Sequence, residues 1–163
     1  YADTAGTKCT INNCKFESNE ALSGTGGAIR ATNSLTITGG SYSGNKAVTA
    51  GGAVDVAGTG TISGVTMYDN SLTNNTANGG GAIYVQSGKK LTLSDSNIYN
   101  NASYEAKGSI PACDIYNAGA ETNLTLSGIR AEDGNAETTE RCLVYQSGKR
   151  YYVDAEGNLQ EDK

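Results

Sequence analysis

Apolar positions along this chain come as short alternating triplets, Cys9-Thr10-Ile11, Leu35-Thr36-Ile37, Leu91-Thr92-Leu93 and Leu124-Thr125-Leu126, set among Gly, Ser, Thr and Asn. Alternation with period two marks a strand with one face buried, and no window shows the spacing of three and four that a helix requires. Three marks recur in a constant order. The first is Gly-Gly-Ala-aliphatic, at Gly26-Gly27-Ala28-Ile29, Gly51-Gly52-Ala53-Val54, Gly80-Gly81-Ala82-Ile83 and, in worn form, Ala112-Cys113-Asp114-Ile115. The second is Thr before an aliphatic residue: Thr10-Ile11, Thr36-Ile37, Thr61-Ile62, Thr92-Leu93 and Thr125-Leu126. The third is a large apolar or aromatic residue three places before an Asn, as in Phe16 and Asn19, Tyr42 and Asn45, Met67 and Asn70, Ile98 and Asn101. That Asn follows the aliphatic residue of the second mark by 8 positions every time.

Read at Ile11, Ile37, Ile62, Leu93 and Leu126, successive copies lie 26, 25, 31 and 33 residues apart. Strands of fixed length joined by loops of variable length predict an all-β coil in which each strand stacks on its equivalent in the next turn, with insertions confined to the turns. The alignment predicts about five coils of three strands. In the strand after the glycines, Ile29, Val54, Ile83 and Ile115 point inward, and Arg30, Asp55, Tyr84 and Tyr116 form an outward column beside Ala28, Ala53 and Ala82. In the third strand the inward residues include Cys14 and Phe16, Tyr42, Val65 and Met67, and Ile98. The recurring Asn is expected at a tight turn in left-handed backbone, bonded to the Asn of the next coil as an internal ladder. After residue 134 the repeat stops, and residues 135–163 read as β-hairpins closing the coil's end as a cap.

Gly, Thr, Asn and Ser supply 70 of the 163 residues, and Leu, Ile, Val and Phe only 26, so the few apolar side chains suffice only if a repeat stacks them. The chain has no His, so it offers no imidazole base and no ordinary zinc site; no metal or other cofactor is expected. A net charge of −5 without a basic cluster argues against nucleic acid, and no run reaches the length of a spanning helix, so membrane insertion is not expected. Four cysteines leave two bridges open: Cys9 with Cys14 across a corner, and Cys113 with Cys142 tying the last coil to the tail. Each is equally readable as a buried thiol.

The pairing of FESN at residues 16–19 with GGAI at residues 26–29, followed by YSGN with GGAV and MYDN with GGAI, resembles the FxxN and GGA[ILV] repeats of polymorphic membrane proteins of the chlamydial type. The resemblance covers about residues 9–134. It implies a right-handed parallel β-helix and an adhesin displayed outside the cell, secreted or on a bacterial surface, whose partner is a host surface protein or glycan. The YYVDAEGNL stretch is similar to short segments of surface proteins of Gram-positive gut bacteria.

Three kinds of function compete for such a coil. Polysaccharide hydrolysis or lysis needs carboxylates converging on one face, and Asp55, Asp69, Asp95 and Asp114 give no persuasive pair, so no catalytic residue is assigned and the expectation is a non-enzyme. Binding fits better: Arg30, Asp55, Tyr84 and Tyr116 would make a strip with rings on adjacent coils, able to stack on a sugar or anchor an interface. A carbohydrate-binding or carbohydrate-processing helix would add a groove walled by the loops at 71–79 and 102–111. The third reading is ice binding, because Thr10, Thr36, Thr61, Thr92 and Thr125 run beside Asn12, Thr38, Ser63, Ser94 and Ser127 and resemble the Thr-x-Thr faces of ice-binding solenoids.

Overall fold

In a computed structural model, residues 8–74, 79–101, 112–131, 141–154 and 158–162 are described. The chain winds as a parallel β-helix with three main sheets and a two-stranded parallel pair, Lys46–Ala47 with Ser71–Leu72, at a corner. A threonine sheet stacks Cys9–Asn12, Ser34–Thr38, Thr59–Ser63, Lys90–Ser94 and Leu124–Ser127. A short sheet stacks Lys15–Glu17, Ser41–Ser43, Thr66–Tyr68 and Asn97–Tyr99. A long sheet stacks Ile29–Ala31, Val54–Val56, Ile83–Val85, Ala112–Asn117 and Arg141–Gln146 in parallel, then adds Lys149–Val153 and Leu159–Glu161 antiparallel. The register is the one the repeat predicts: Ile37 lies beside Ile62, and Ile83 beside both Val54 and Ile115. About four turns are complete, rather than five, because among the described residues no long-sheet strand precedes Cys9–Asn12 and no short-sheet strand follows Leu124–Ser127.

The core is a set of side-chain columns. Ile29, Val54, Ile83, Ile115 and Val144 form one, and Leu35, Ile37, Ile62, Leu91 and Leu93 line the facing wall, all nearly sealed from solvent. Each such burial contributes about 1.5–3 kcal/mol, so a narrow stack of like residues holds a chain poor in them. The turns also repeat. Asn13, Gly39, Gly64, Asp95 and Gly128 end the threonine strands with φ between 48° and 66°, and Ser18, Gly44, Asp69 and Asn100 end the short strands with φ between 51° and 62°. Gly, Asn and Asp adopt this left-handed conformation at least cost, which is why they mark the corners.

Two expectations change here. The left-handed residue is the one before the ladder Asn, not the Asn itself. Cys14, expected inward, is exposed and donates its thiol hydrogen to the Asn12 carbonyl at 3.3 Å, because among the described residues the strands on either side of it, Cys9–Asn12 and Lys15–Glu17, are the edges of their sheets. The expected break at residue 134 falls in 132–140, outside the described residues. Parallel pairing continues through Gln146, and only after the Ser147-Gly148 turn does the strand direction reverse.

Candidate functional site

The outward face of the long sheet brings the predicted column together in register: Arg30 beside Asp55, Asp55 beside Tyr84, Tyr84 beside Tyr116. It also adds a member that the repeat did not mark, since Tyr145 lies beside Tyr116 on the continuing parallel strand. Tyr84 and Tyr116 stack with ring centroids 5.6 Å apart and planes at 26°, and Tyr116 and Tyr145 at 5.5 Å and 31°. Stacking at the strand spacing turns the ring faces toward one another and leaves edges and hydroxyls outermost. The expected flat sugar platform is therefore an edge-on row of phenols. All three rings are half-buried, and burial is the first cause that pushes the Tyr84 and Tyr116 hydroxyls above their ordinary value of 10.0. The antiparallel partner of Tyr145 is Arg150, whose guanidinium meets Asp162 at 2.6 Å, so the row of rings lies between Asp55, under Arg30, and Arg150.

Asp55 corrects the prediction. It belongs to the column by register but is fully buried, because Thr25, Arg30 and Gln86 close over it. Its carboxylate accepts bonds from the Thr25 hydroxyl at 2.5 Å, the Arg30 Nε at 3.2 Å and the Gln86 amide at 3.0 Å. Burial still outweighs these partners and holds its carboxyl above the ordinary 3.8. Arg30 is half-buried over Asp55, so what reaches solvent on this strip is Arg30 and the tyrosines.

The other acid of that sheet has a different task. Asp114 is 1% exposed and accepts from Asn101 through both the backbone N–H at 2.8 Å and Nδ2 at 2.9 Å. It ends a directional amide ladder in which Asn19 donates to Asn45 Oδ1, Asn45 to Asn70 Oδ1 and Asn70 to Asn101 Oδ1, each through backbone and side chain. Asp69 and Asp95 hold left-handed turn positions, and Asn100 donates to Asp69. No pair of these acids converges on an open face, and among the described residues no three His, Cys, Asp or Glu side chains gather as metal ligands.

A match over residues 1–158 is found with the family model of the right handed beta helix region. The chain belongs to the right-handed β-helix family. No curated protein and no solved structure matches the chain.

Other faces of this β-helix narrow its chemistry further. Thr10, Thr36, Thr61, Thr92 and Thr125 do form one column in register, flanked by Asn12, Thr38, Ser63, Ser94 and Ser127. A cleft of about 800 Å³ opens between the last coil and the hairpin, lined in part by Asp95, Asn97, Arg130 and Asp154; among the described residues none of its lining is aromatic. Of the loops expected to wall a sugar groove, 75–78 and 102–111 lie outside the described residues. None of the four cysteines is bridged: Cys9 and Cys14 lie at the first coil, and Cys113 and Cys142 are buried register neighbours. No helix among the described residues is long and apolar enough to cross a membrane.

Proposed function

We propose that the chain is a non-catalytic extracellular segment of the adhesin or stalk kind, secreted or surface-displayed, that presents the Arg30 and tyrosine strip to a surface protein or glycan. Right-handed β-helices occur in adhesins and in polysaccharide-processing enzymes. The FxxN and GGA[ILV] repeats favour the first. The observation that carries the reading is the stack of Tyr84, Tyr116 and Tyr145, three half-buried rings held in register on one face by parallel strands. Rigid aromatic side chains lose little entropy on binding, and contacts repeated at strand spacing add by multiplicity when a partner spans several coils. The two best-placed acids, Asp55 and Asp114, are buried and committed to internal bonds, which weighs against hydrolysis. Ice binding is the weaker reading, because the second column of the threonine sheet alternates Asn, Thr and Ser and Lys90 stands on the same face.

Arrays of glycans and of extracellular host proteins, probed with the intact chain, test this. Binding by the wild type, weakened about tenfold or more by Tyr116→Ala and unchanged by Thr61→Lys on the opposite kind of face, is the expected result. Binding that survives both Tyr116→Ala and Tyr145→Ala, or no binding to any extracellular ligand, overturns it.

A further inference from the structure

The column that begins the long strands carries glycine at the first three parallel strands and cysteine at the last two. Following the register from Ile29 through Val54, Ile83, Ile115 and Val144, the residues two places earlier are Gly27, Gly52, Gly81, Cys113 and Cys142. At Gly27 and Gly52 this column admits no side chain. A Cβ on Gly27 would stand 2.2 Å from the Gly52 carbonyl oxygen and 2.4 Å from that of Lys46, and one on Gly52 would stand 2.1 Å from the Gly81 carbonyl oxygen. At the last two parallel rungs the restriction lifts, and both rungs carry the same small side chain.

Cys113 and Cys142 are direct partners across adjacent parallel strands, on the same face, 1% and 3% exposed. Neighbouring strands lie about 4.8 Å apart. That separation lies within the Cα range of roughly 4.4–6.8 Å that a disulfide spans. The two residues are 29 positions apart in sequence, and the second stands on the strand that leads directly into the antiparallel hairpin. Cys9 and Cys14 share neither property, since Cys9 lies on the strand Cys9–Asn12, while Cys14 lies in the connection after it and is exposed.

We propose that Cys113 and Cys142 are a redox pair whose disulfide clips the strand Arg141–Gln146, and with it the hairpin, onto the last full coil. The oxidant is an external disulfide of the glutathione class. The thiolate of one cysteine attacks it, expels one external thiol and forms a mixed disulfide; the second cysteine then attacks the protein sulfur of that bond and expels the other external thiol. Two protein thiols become one protein disulfide, and one external disulfide becomes two thiols. Because both sulfurs are buried in the wound state, exchange belongs to the stage before the last strand docks, or to its release.

The experiment refolds the full chain in a glutathione redox buffer, blocks remaining thiols with an alkylating reagent under denaturing conditions, and maps the cysteines by mass spectrometry. The expected result is a linked Cys113 and Cys142 peptide pair, with Cys9 and Cys14 alkylated. The C9S/C14S variant leaves only the proposed pair: the monomer should lose about 2 Da on oxidation, and reduction should lower its melting temperature by on the order of 10 °C. Four alkylated cysteines after oxidising refolding overturns the proposal. So does a bridge involving Cys9 or Cys14, or a C9S/C14S chain that shows full β-sheet circular dichroism while both thiols stay reduced.

Discussion

The asparagine ladder and the tyrosine row are built by the same repeat, and they differ in what their side chains touch. Asn45, Asn70 and Asn101 sit inside the corner with no measurable exposure, and each amide both accepts from the coil before and donates to the coil after. Tyr84, Tyr116 and Tyr145 sit on the outer face, touch one another through their rings and keep their edges in solvent. A column whose every polar atom is satisfied by its neighbours fixes the register and has nothing left to offer a partner. A column held only by stacking leaves its hydroxyls available. One repeat thus makes both a structural spine and a display surface, according to whether the side chain turns in or out.

Breaking the spine should cost far more than breaking the display. Asn70→Ala removes the acceptor of Asn45 N–H and Nδ2 and the donor to the Tyr42 and Asn101 oxygens, leaving buried polar groups unpaired on both sides. The expected loss is about 3–5 kcal/mol, read as a fall in the urea midpoint. Tyr116→Ala, which removes two ring contacts on the outer face, should cost only about 1–2 kcal/mol in the same titration. Equal losses would mean that the outer row is structural as well, and the contrast would fail.

Asp55 is where the two kinds of column blur, because it has an outward register and an inward burial. A carboxyl raised in the folded state binds its proton more tightly folded than unfolded. Its favourable contribution is therefore complete below about 3.8 and is lost as the pH rises through the raised folded value. Lowering the pH from 7 toward 4 should shift the stability of the wild type upward relative to Asp55→Asn. A difference between the two that is flat with pH, or that moves against the wild type on acidification, would show that Thr25, Gln86 and Arg30 outweigh the burial. The midpoint of urea unfolding at several pH values decides.

The coil was legible because its marks are spaced by the chain itself: eight residues from Ile37 to Asn45 and from Ile62 to Asn70 fix strand length and corner together. What lay beyond the pattern is what lies beyond the repeat. Tyr145 extends the tyrosine row from a strand that shares no Gly-Gly mark, although Cys142-Leu143-Val144-Tyr145 does align with Cys113-Asp114-Ile115-Tyr116 and carried the signal. Asp114 closes the ladder from a different sheet. The hint was twofold: Asp replaces the Ala of Ala28, Ala53 and Ala82, and the position eight after Leu126 is Gly134 rather than an amide. The burial of Asp55 could not be read, because Thr25 and Gln86 reach it from loops that have no fixed phase.

The smallest expected effect is the most exacting test of the distinction between satisfied and unsatisfied interior. Tyr42 occupies the column next to the ladder, fully buried, its ring stacked on Phe16 at 5.1 Å and 12°. Its carbonyl accepts from Asn70, but its hydroxyl is buried with no hydrogen-bond partner among the described residues, and burial pushes the phenol well above its usual range. The ring fills the core and the oxygen only loses water, so the hydroxyl is a net cost that the aromatic stacking offsets. Tyr42→Phe keeps the stack and deletes the orphan, and should leave stability unchanged or raise it by about 1 kcal/mol. The same change at Tyr116 should move the urea midpoint less, because that ring is half-buried on the outer face rather than sealed in the core. A drop of more than about 1 kcal/mol for Tyr42→Phe would place a bound water or a polar partner at that oxygen, and the interior would then hold two satisfied polar columns instead of one.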